Sequence, residues 1–335
     1  MSDDLAAFEA LADLPGVSFA AMRYVLLARV KSDGLEVLED AGSRLTIRTA
    51  HGLIGLRPGR EAKIAGMVAA REPRWLYVLK GAVVQQVQHL MPKVAAAVRW
   101  TDVEAEGGLP PNFRFATVIS VEPVGEVFLR VTLSSEDGSS YGDEAIHFRL
   151  VQPPKTGEAA WPEAAENGAT CWPDGPGAPH KPVYTVRWAD HDRGHIVTDV
   201  LVHEGGRTTD WARENLDGAQ GRRVVGLVGP SGGGLLKADR VLMANDETGF
   251  PAVARLLEAL PDGARGEVLL EAENGEACGY PVRAPEGGVL KWLSRSTGDR
   301  LGEAALRALP HHAGSKIWFA GERDDAQRLR EAAKA

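Results

Sequence analysis

From Arg240 onward, short apolar runs and amphipathic runs take turns along the chain. RVLMAND, GEVLLEAE, GVLKWLSR and KIWFAGE have the length and apolar content of buried strands. Between and after them, FPAVARLLEALP, GEAALRALP and DDAQRLREAAK repeat their apolar residues at helical spacing. This alternation predicts a parallel sheet covered by helices, and such sheets bind ligands outside the carboxyl ends of their strands.

The preceding stretch has another rhythm. FRFATVISVEP, EVFLRVTLSSED, AIHFRLVQPP, VYTVRWAD, HIVTDVLVH and RRVVGLVG are β-branched or aromatic runs bounded by turn formers, with TTDWARENL as one short helix. Many short strands with a single helix predict a closed antiparallel β-barrel. Residues 152–182, rich in Pro, Gly and Glu, interrupt it and read as a long loop. Nearer the N-terminus, SRLTIRTAHGLIGLRPG predicts two short strands turning on glycine, EAKIAGMVAA a helix and RWLYVLK a further strand. AVVQQVQHLMPKVAAAVRW predicts a helix interrupted at Pro92. With VEAEGGLPPN as a linker, the expected domains are a small α+β domain (1–104), the barrel (112–233) and a parallel α/β domain (234–335).

Composition narrows the function classes. At 335 residues, 44% apolar and 25% charged, the chain has material for two or three globular domains. The formal charge of −8 argues against a general nucleic-acid binder while leaving room for a local basic pocket. No apolar run approaches the ~20 residues that span a bilayer, and the acidic start MSDDLAAFEALADL is unlike a signal peptide. Cys171 and Cys278 stand far apart in unlike contexts, which points to a reducing cytoplasmic compartment.

VGPSGGG (228–234) fits Gly-x-Ser-x-Gly, with Ser231 in a nucleophile's place. No helix follows it as a nucleophile elbow needs, and nothing marks His311 or His312 as the base. A P-loop fails too, because Leu235 and Leu236 stand where Lys and Ser/Thr are required. His203 and Glu204 begin H-E-x-x-H, but Arg207 replaces the second His, so no zinc site is expected.

Taken in order, V-Y-T-V-R, D-V-L-V-H, G-x-x-T-x-W-A, G-P-S-G, N-D-E-T-G-F-P-A and W-F-A-G-E form a wider constellation. Over residues 113–330 it resembles the siderophore-interacting protein family of ferredoxin-reductase-like, FAD-dependent ferric-siderophore reductases. The first zone, through QHL and its closing Trp100, is similar to a small domain of unknown function, the 2218 type.

The resemblance implies an FAD-binding barrel and a nicotinamide nucleotide, NADPH or NADH, on the parallel domain. Tyr184 would pack on the isoalloxazine and Thr185 would hydrogen-bond near its reactive nitrogen. Arg187 would offer its fork to the FAD phosphates, with Lys181 as a point charge because Pro182 stands where the family has an Arg. Thr208, Thr209 and Trp211 fall on the pyrophosphate segment, where either Thr can cap a helix, and His203 would belong to the flavin-side strand through backbone contacts. Gly229, Ser231 and Gly232 would let backbone approach the cofactor. Asp246, Glu247 and Thr248, with Gly249 in place of the commoner Ala, would begin the helix beneath the nucleotide. Ala320, Gly321 and Glu322 would face the nicotinamide and flavin. Lys291, Arg295 and Lys316 are the candidate contacts to the ferric chelate or a cofactor phosphate.

The expected activity is NAD(P)H-dependent reduction of a ferric siderophore or another ferric chelate, with no protein nucleophile and no resident metal. A flavin- or nucleotide-binding module acting through a partner, without turnover, is the alternative; hydrolysis through Ser231 ranks below both.

Overall fold

A computed structural model describes residues 7–59, 64–102, 107–136, 141–216 and 224–334. They form two compact units, and the first takes in residues 153–179 as well as the N-terminal 113.

The first unit is built on a six-stranded antiparallel sheet: β1 (Phe8–Leu14), β2 (Glu36–Ala41), β3 (Arg44–Thr49), β4 (Gly52–Pro58), β5 (Ile64–Ala70) and β6 (Arg99–Trp100), in the order β2-β3-β4-β5-β1-β6. Helix α1 (Phe19–Asp33) is capped by the Ser18 hydroxyl and ends on Gly34 at φ 68°. Helices α2 (Pro73–Leu90) and α3 (Pro92–Ala97) meet at Met91, the break expected from Pro92.

Two local expectations are reversed here. IAGMVAA is strand β5, not helix: it pairs with both β1 and β4, and its buried small residues hide a two-residue period. RWLYVLK is helix, not strand. Pro73 opens α2, and buried Trp75, Leu76, Leu79, Val83 and Val87 recur at helical spacing only when read on into the next segment.

The second unit begins as a barrel with β7 (Phe113–Val124), β8 (Phe128–Ser134) and β9 (His147–Val151). Residues 153–179 then leave it to join the first unit, carrying the small ladder of β10 (Glu163–Ala164) and β11 (Thr170–Cys171). The anticipated loop is thus an excursion with fixed contacts in that unit: Trp100 Nε1 donates to Asn167 O (2.9 Å) and Tyr77 Oη to Ala169 O (3.1 Å).

Back in the barrel come β12 (Val183–Thr185), β13 (Trp188–Asp190), β14 (His195–Leu201), helix α4 (Arg207–Arg213) and β15 (Val224–Ser231). The sheet runs β12-β9-β15-β7-β8-β14-β13. Its two ends are one continuous run of chain: residues 183–185 pair with β9, and from Arg187, whose N–H reaches Val197 O (2.7 Å), the chain pairs with β14. That switch of edges closes the barrel around Val131, Leu133, Phe148, Leu150, Ile196 and Leu227.

The remainder alternates as expected: β16 (Arg240–Asp246), α5 (Phe250–Glu258), β17 (Arg265–Ala272), β18 (Gly287–Ser294), α6 (Leu301–Ala308), β19 (Lys316–Ala320) and α7 (Arg323–Ala332). All four strands are parallel, ordered β18-β17-β16-β19. Successive strands step one way from β16 to β18, and then β19 returns to the other side of β16. The order therefore reverses between β16 and β19, and the carboxyl ends of those two strands border the crevice where such sheets bind ligands.

Candidate functional site

Tyr184 and Thr185 lie on the strand that closes the barrel. Tyr184 is half-buried against the barrel core, and burial pushes its phenol up despite a hydrogen bond to Thr208. Thr185 is buried; its carbonyl accepts from Thr198 Oγ1 (2.8 Å) and its hydroxyl meets His147 Nδ1 at 3.2 Å. Thr208 donates to Gln152 Oε1 (3.1 Å), while Gln152 Nε2 is buried with no partner in the structure.

An unanswered buried donor costs about 1–3 kcal/mol, so this cluster of Tyr184, Thr208 and Gln152 suits a ligand that supplies acceptors. A flavin dinucleotide does so along its ring edge and pyrophosphate. The residues present therefore fit FAD.

Helix α4 differs from the capped helix expected. Its N-cap is Gly206, which has no side chain to bond; Thr208 and Thr209 lie inside the helix, and Thr209 Oγ1 instead accepts from His203 N (3.2 Å). Trp211 is buried in the barrel core, and His203 and Lys181 stand at the margin, the Lys181 carbonyl accepting from Arg149 Nη1 (2.7 Å).

The glycine loop folds over His147. Ser231 Oγ donates to the His147 carbonyl (3.3 Å), with Gly229 just before it in β15. Gly232 takes φ +76°, and a Cβ there would fall 2.6 Å from His147 Cδ2. The glycine is needed for close approach to that imidazole. Burial first, then the Arg255 charge, holds His147 below the usual histidine range, with a hydrogen bond to the Tyr184 backbone opposing them.

Helix α5 ties this strand to the parallel sheet. Arg255 donates from Nη1 to Val186 O (2.6 Å) and from Nη2 to Gly142 O (2.9 Å). Arg187 turns its fork onto Glu258, with Nη1 2.6 Å from Oε2, and its guanidinium lies 5.4 Å from the Trp188 ring centre. The same helix starts at the carboxyl end of β16. Asp246 accepts there from Thr248 N (2.9 Å). Glu247 pairs with Arg295 (Nη1 to Oε2, 2.7 Å) and accepts from Glu273 N (3.0 Å). Burial would raise the Glu247 carboxyl, but the Arg295 fork outweighs it and holds it below the usual range. Arg295 also reaches Glu271 Oε1 (3.2 Å), whose other oxygen accepts from Leu301 N (2.6 Å) at the start of α6.

Across the reversal point, Ala320 ends β19 opposite Asn245, and Gly321 has Leu301 and Phe319 within 3.3 Å of where a Cβ would sit. Glu322 follows as the exposed N-cap of α7. The fold thus brings Asp246, Glu247, Thr248, Ala320, Gly321, Glu322 and Arg295 to one edge of the sheet. Lys316 is at the opposite, amino end, in register with Val241, and Lys291 lies mid-strand, paired with Glu267 (2.8 Å).

Two residues escaped the sequence reading. His147 gave no signal beyond a lone histidine in a strand. Asn245 is fully buried, and neither of its side-chain polar atoms has a partner in the structure; its place at the head of N-D-E-T-G-F-P-A was the only trace. Among the described residues, no helix is long and apolar enough to cross a membrane, and no cluster of His, Cys, Asp or Glu has the makings of a metal site.

A closed antiparallel barrel whose closing strand is clamped to a parallel α/β sheet defines a two-part nucleotide-binding architecture. A family model described as the siderophore-interacting FAD-binding domain matches residues 117–234, and one described as siderophore-interacting protein matches residues 238–335. The chain belongs to the siderophore-interacting protein family.

It is 33% identical over 180 residues to the ferric vibriobactin reductase ViuB of Vibrio cholerae, an alignment covering 51% of this chain and 63% of ViuB. This chain therefore spans less than two thirds of that relative. The NADPH-dependent ferric-chelate reductase of Escherichia coli is 29% identical over 220 residues, covering 63% of this chain and 82% of that one. Among solved structures, a siderophore utilization protein from T. fusca is 30% identical with a TM-score of 0.56, over 69% of this chain and 89% of that one.

Proposed function

We propose that the protein is an NAD(P)H-dependent flavin reductase that reduces a ferric siderophore or another ferric chelate and releases iron(II). One observation carries the reading. The strand bearing Tyr184 and Thr185 is held at Val186 by Arg255, from the helix that begins at the nucleotide edge of the sheet. A single rigid element thus runs from the expected flavin strand to the expected nicotinamide crevice, as transfer between two cofactors requires. The names of the two reductase relatives support the same chemistry.

In this reading Tyr184 lays its ring against the flavin and Thr185 presents its hydroxyl to it, while the Gln152 amide and the first turn of α4 face the dinucleotide. Asp246, Thr248, Ala320 and Gly321 border the nicotinamide, where Gly321 permits close approach. Arg295 holds the carboxyl edge together through Glu247 and Glu271. Bound FAD supplies the conversion of a two-electron donor into one-electron steps. Oxygen donors hold iron(II) less tightly than iron(III), so reduction frees the metal.

The deciding experiment loads the protein with FAD and supplies NADPH or NADH, several ferric chelates and a ferrous trap. Trapped iron(II) that depends on both flavin and nicotinamide is the expected result; protein that takes up no flavin overturns the reading. A second reading, a flavin-binding module without turnover, is favoured by the commitment of Arg187 to Glu258, which leaves its fork engaged within the protein. It predicts bound FAD with no NAD(P)H oxidation by any chelate or quinone.

A further inference from the structure

We propose that His147 is the proton acceptor of the flavin site, acting through the hydroxyl of Thr185. This rests on the flavin reading above and adds to it a residue that the reading does not use.

The geometry singles out this imidazole. His147 and Thr185 are register partners on β9 and β12, and their Nδ1 and Oγ1 atoms are 3.2 Å apart. The ring is fixed from the other side. Gly232, at φ +76°, packs its backbone where any Cβ would strike Cδ2 at 2.6 Å, and Ser231 holds the His147 carbonyl at 3.3 Å.

Charge around the ring favours the neutral, accepting form. From α5 comes the Arg255 guanidinium, partly answered by Asp143 at 3.4 Å. The glycine loop faces the ring with the Gly232 backbone, and β12 offers the Thr185 hydroxyl and the Tyr184 backbone. Burial acts in the same direction as Arg255. At neutral pH the imidazole is uncharged, and with its proton on Nε2 it presents a lone pair to Thr185.

The reaction leaves one proton to place. NAD(P)H and two iron(III) give NAD(P)+, two iron(II) and one H+. With FAD bound, the two electrons of the hydride would go singly to the two ferric ions, and its proton would be left for the protein to carry away. Thr185 Oγ takes that proton as its own O–H proton passes to His147 Nδ1. The hydroxyl is unchanged at the end, and the imidazolium of the partly exposed His147 returns a proton to solvent from Nε2. Acidification below the depressed histidine value fills Nδ1 and blocks the path.

The test uses the full chain loaded with FAD, with loading followed by flavin absorbance. His147→Asn keeps an amide near the Nδ1 position but cannot take up a proton. Expected is wild-type FAD loading, a ~100-fold slower reoxidation of reduced flavin by ferric citrate, and recovery with added imidazole. Independently of turnover, the wild-type flavin midpoint potential changes its slope against pH at the His147 titration seen by 15N NMR, and the variant loses that break. Thr185→Val gives the same lesion, and the double variant is no slower than either single one. Reoxidation within threefold of wild type with the potential slope unchanged overturns the assignment, and so does slow reoxidation that imidazole fails to restore. Should His147→Asn not fold, Thr185→Val with its potential slope decides alone. If the wild-type protein takes up no flavin, the reductase reading itself falls, and this inference with it.

Discussion

Gly249 lies against Asn245 so closely that a Cβ on the glycine would sit 2.8 Å from the asparagine Cβ and 3.1 Å from that of Ala320. The pair occupies the point where the parallel sheet reverses its strand order. The Gly that departs from the family's Ala thus has a local cause: Asn245 takes the room an alanine methyl would need.

Gly249→Ala is expected to destabilise the protein by about 1–3 kcal/mol through overpacking. Asn245→Gly, which removes the Cβ that makes the 2.8 Å contact, relieves much of it, whereas Asn245→Ala, which keeps that Cβ, relieves little. A double-mutant cycle by urea unfolding checks the coupling, and additive effects count against it.

Arg187 and Glu258 differ in exposure, at 6% and 60% of their side chains. Glu258→Ala strands a buried guanidinium and costs about 1–2 kcal/mol, below the 3–5 for a fully buried pair because water reaches the carboxylate. Arg187→Met leaves an exposed carboxylate and costs less. Thermal melts of the two variants give the order.

Glu247 gives an acid limb. Its carboxyl is held below the ordinary value by Arg295, against the opposing effect of burial. Its contribution is therefore complete above the unfolded value, about 4.3, and is lost as pH falls through the lower folded one. Unfolding measured between pH 3 and 7 shows this loss, and Glu247→Gln, less stable at neutral pH, flattens that part of the profile and approaches wild type at its acid end.

The glycine loop separates two adjacent positions. Ser231→Ala removes a single 3.3 Å hydrogen bond and is expected to cost under ~1 kcal/mol, with no change in esterase background. Gly232→Ala meets both the left-handed backbone and the His147 ring, and is expected to cost ~1–3 kcal/mol and to weaken FAD binding. Melting temperature and flavin titration report the difference.

Legibility followed how far along the chain each signal had to be read. In 240–334 every strand and helix was readable, because amphipathic helices and buried strands alternate within a few residues of one another. IAGMVAA and RWLYVLK were misread because their character depends on neighbours: β5 is buried in the middle of a sheet, and the helical stripe of α2 emerges only with the residues that follow. At the site, Tyr184 and Thr185 were singled out by the order of motifs along the chain, not by their own strand, and the place of that strand at the barrel's closure was not readable. The partners of Arg187 and Arg295 were not, since Glu258 is 71 residues from the first and Glu247 is 48 from the second. A guanidinium looks equally available in sequence whether or not a carboxylate has claimed it.

The route of the chain bears on how the protein can be divided. It passes from one unit to the other at residue 113, returns at 152 and leaves again at 179. A second unit made by starting at Arg114 would still carry Pro153–Pro179, stripped of Trp100, Tyr77 and the Ala95 carbonyl that hold Asn167, Ala169 and Thr170. A minimal second unit therefore needs two cuts and a splice, with a short turn joining Gln152 to His180, whose backbones already bond each other at 2.7 and 2.9 Å.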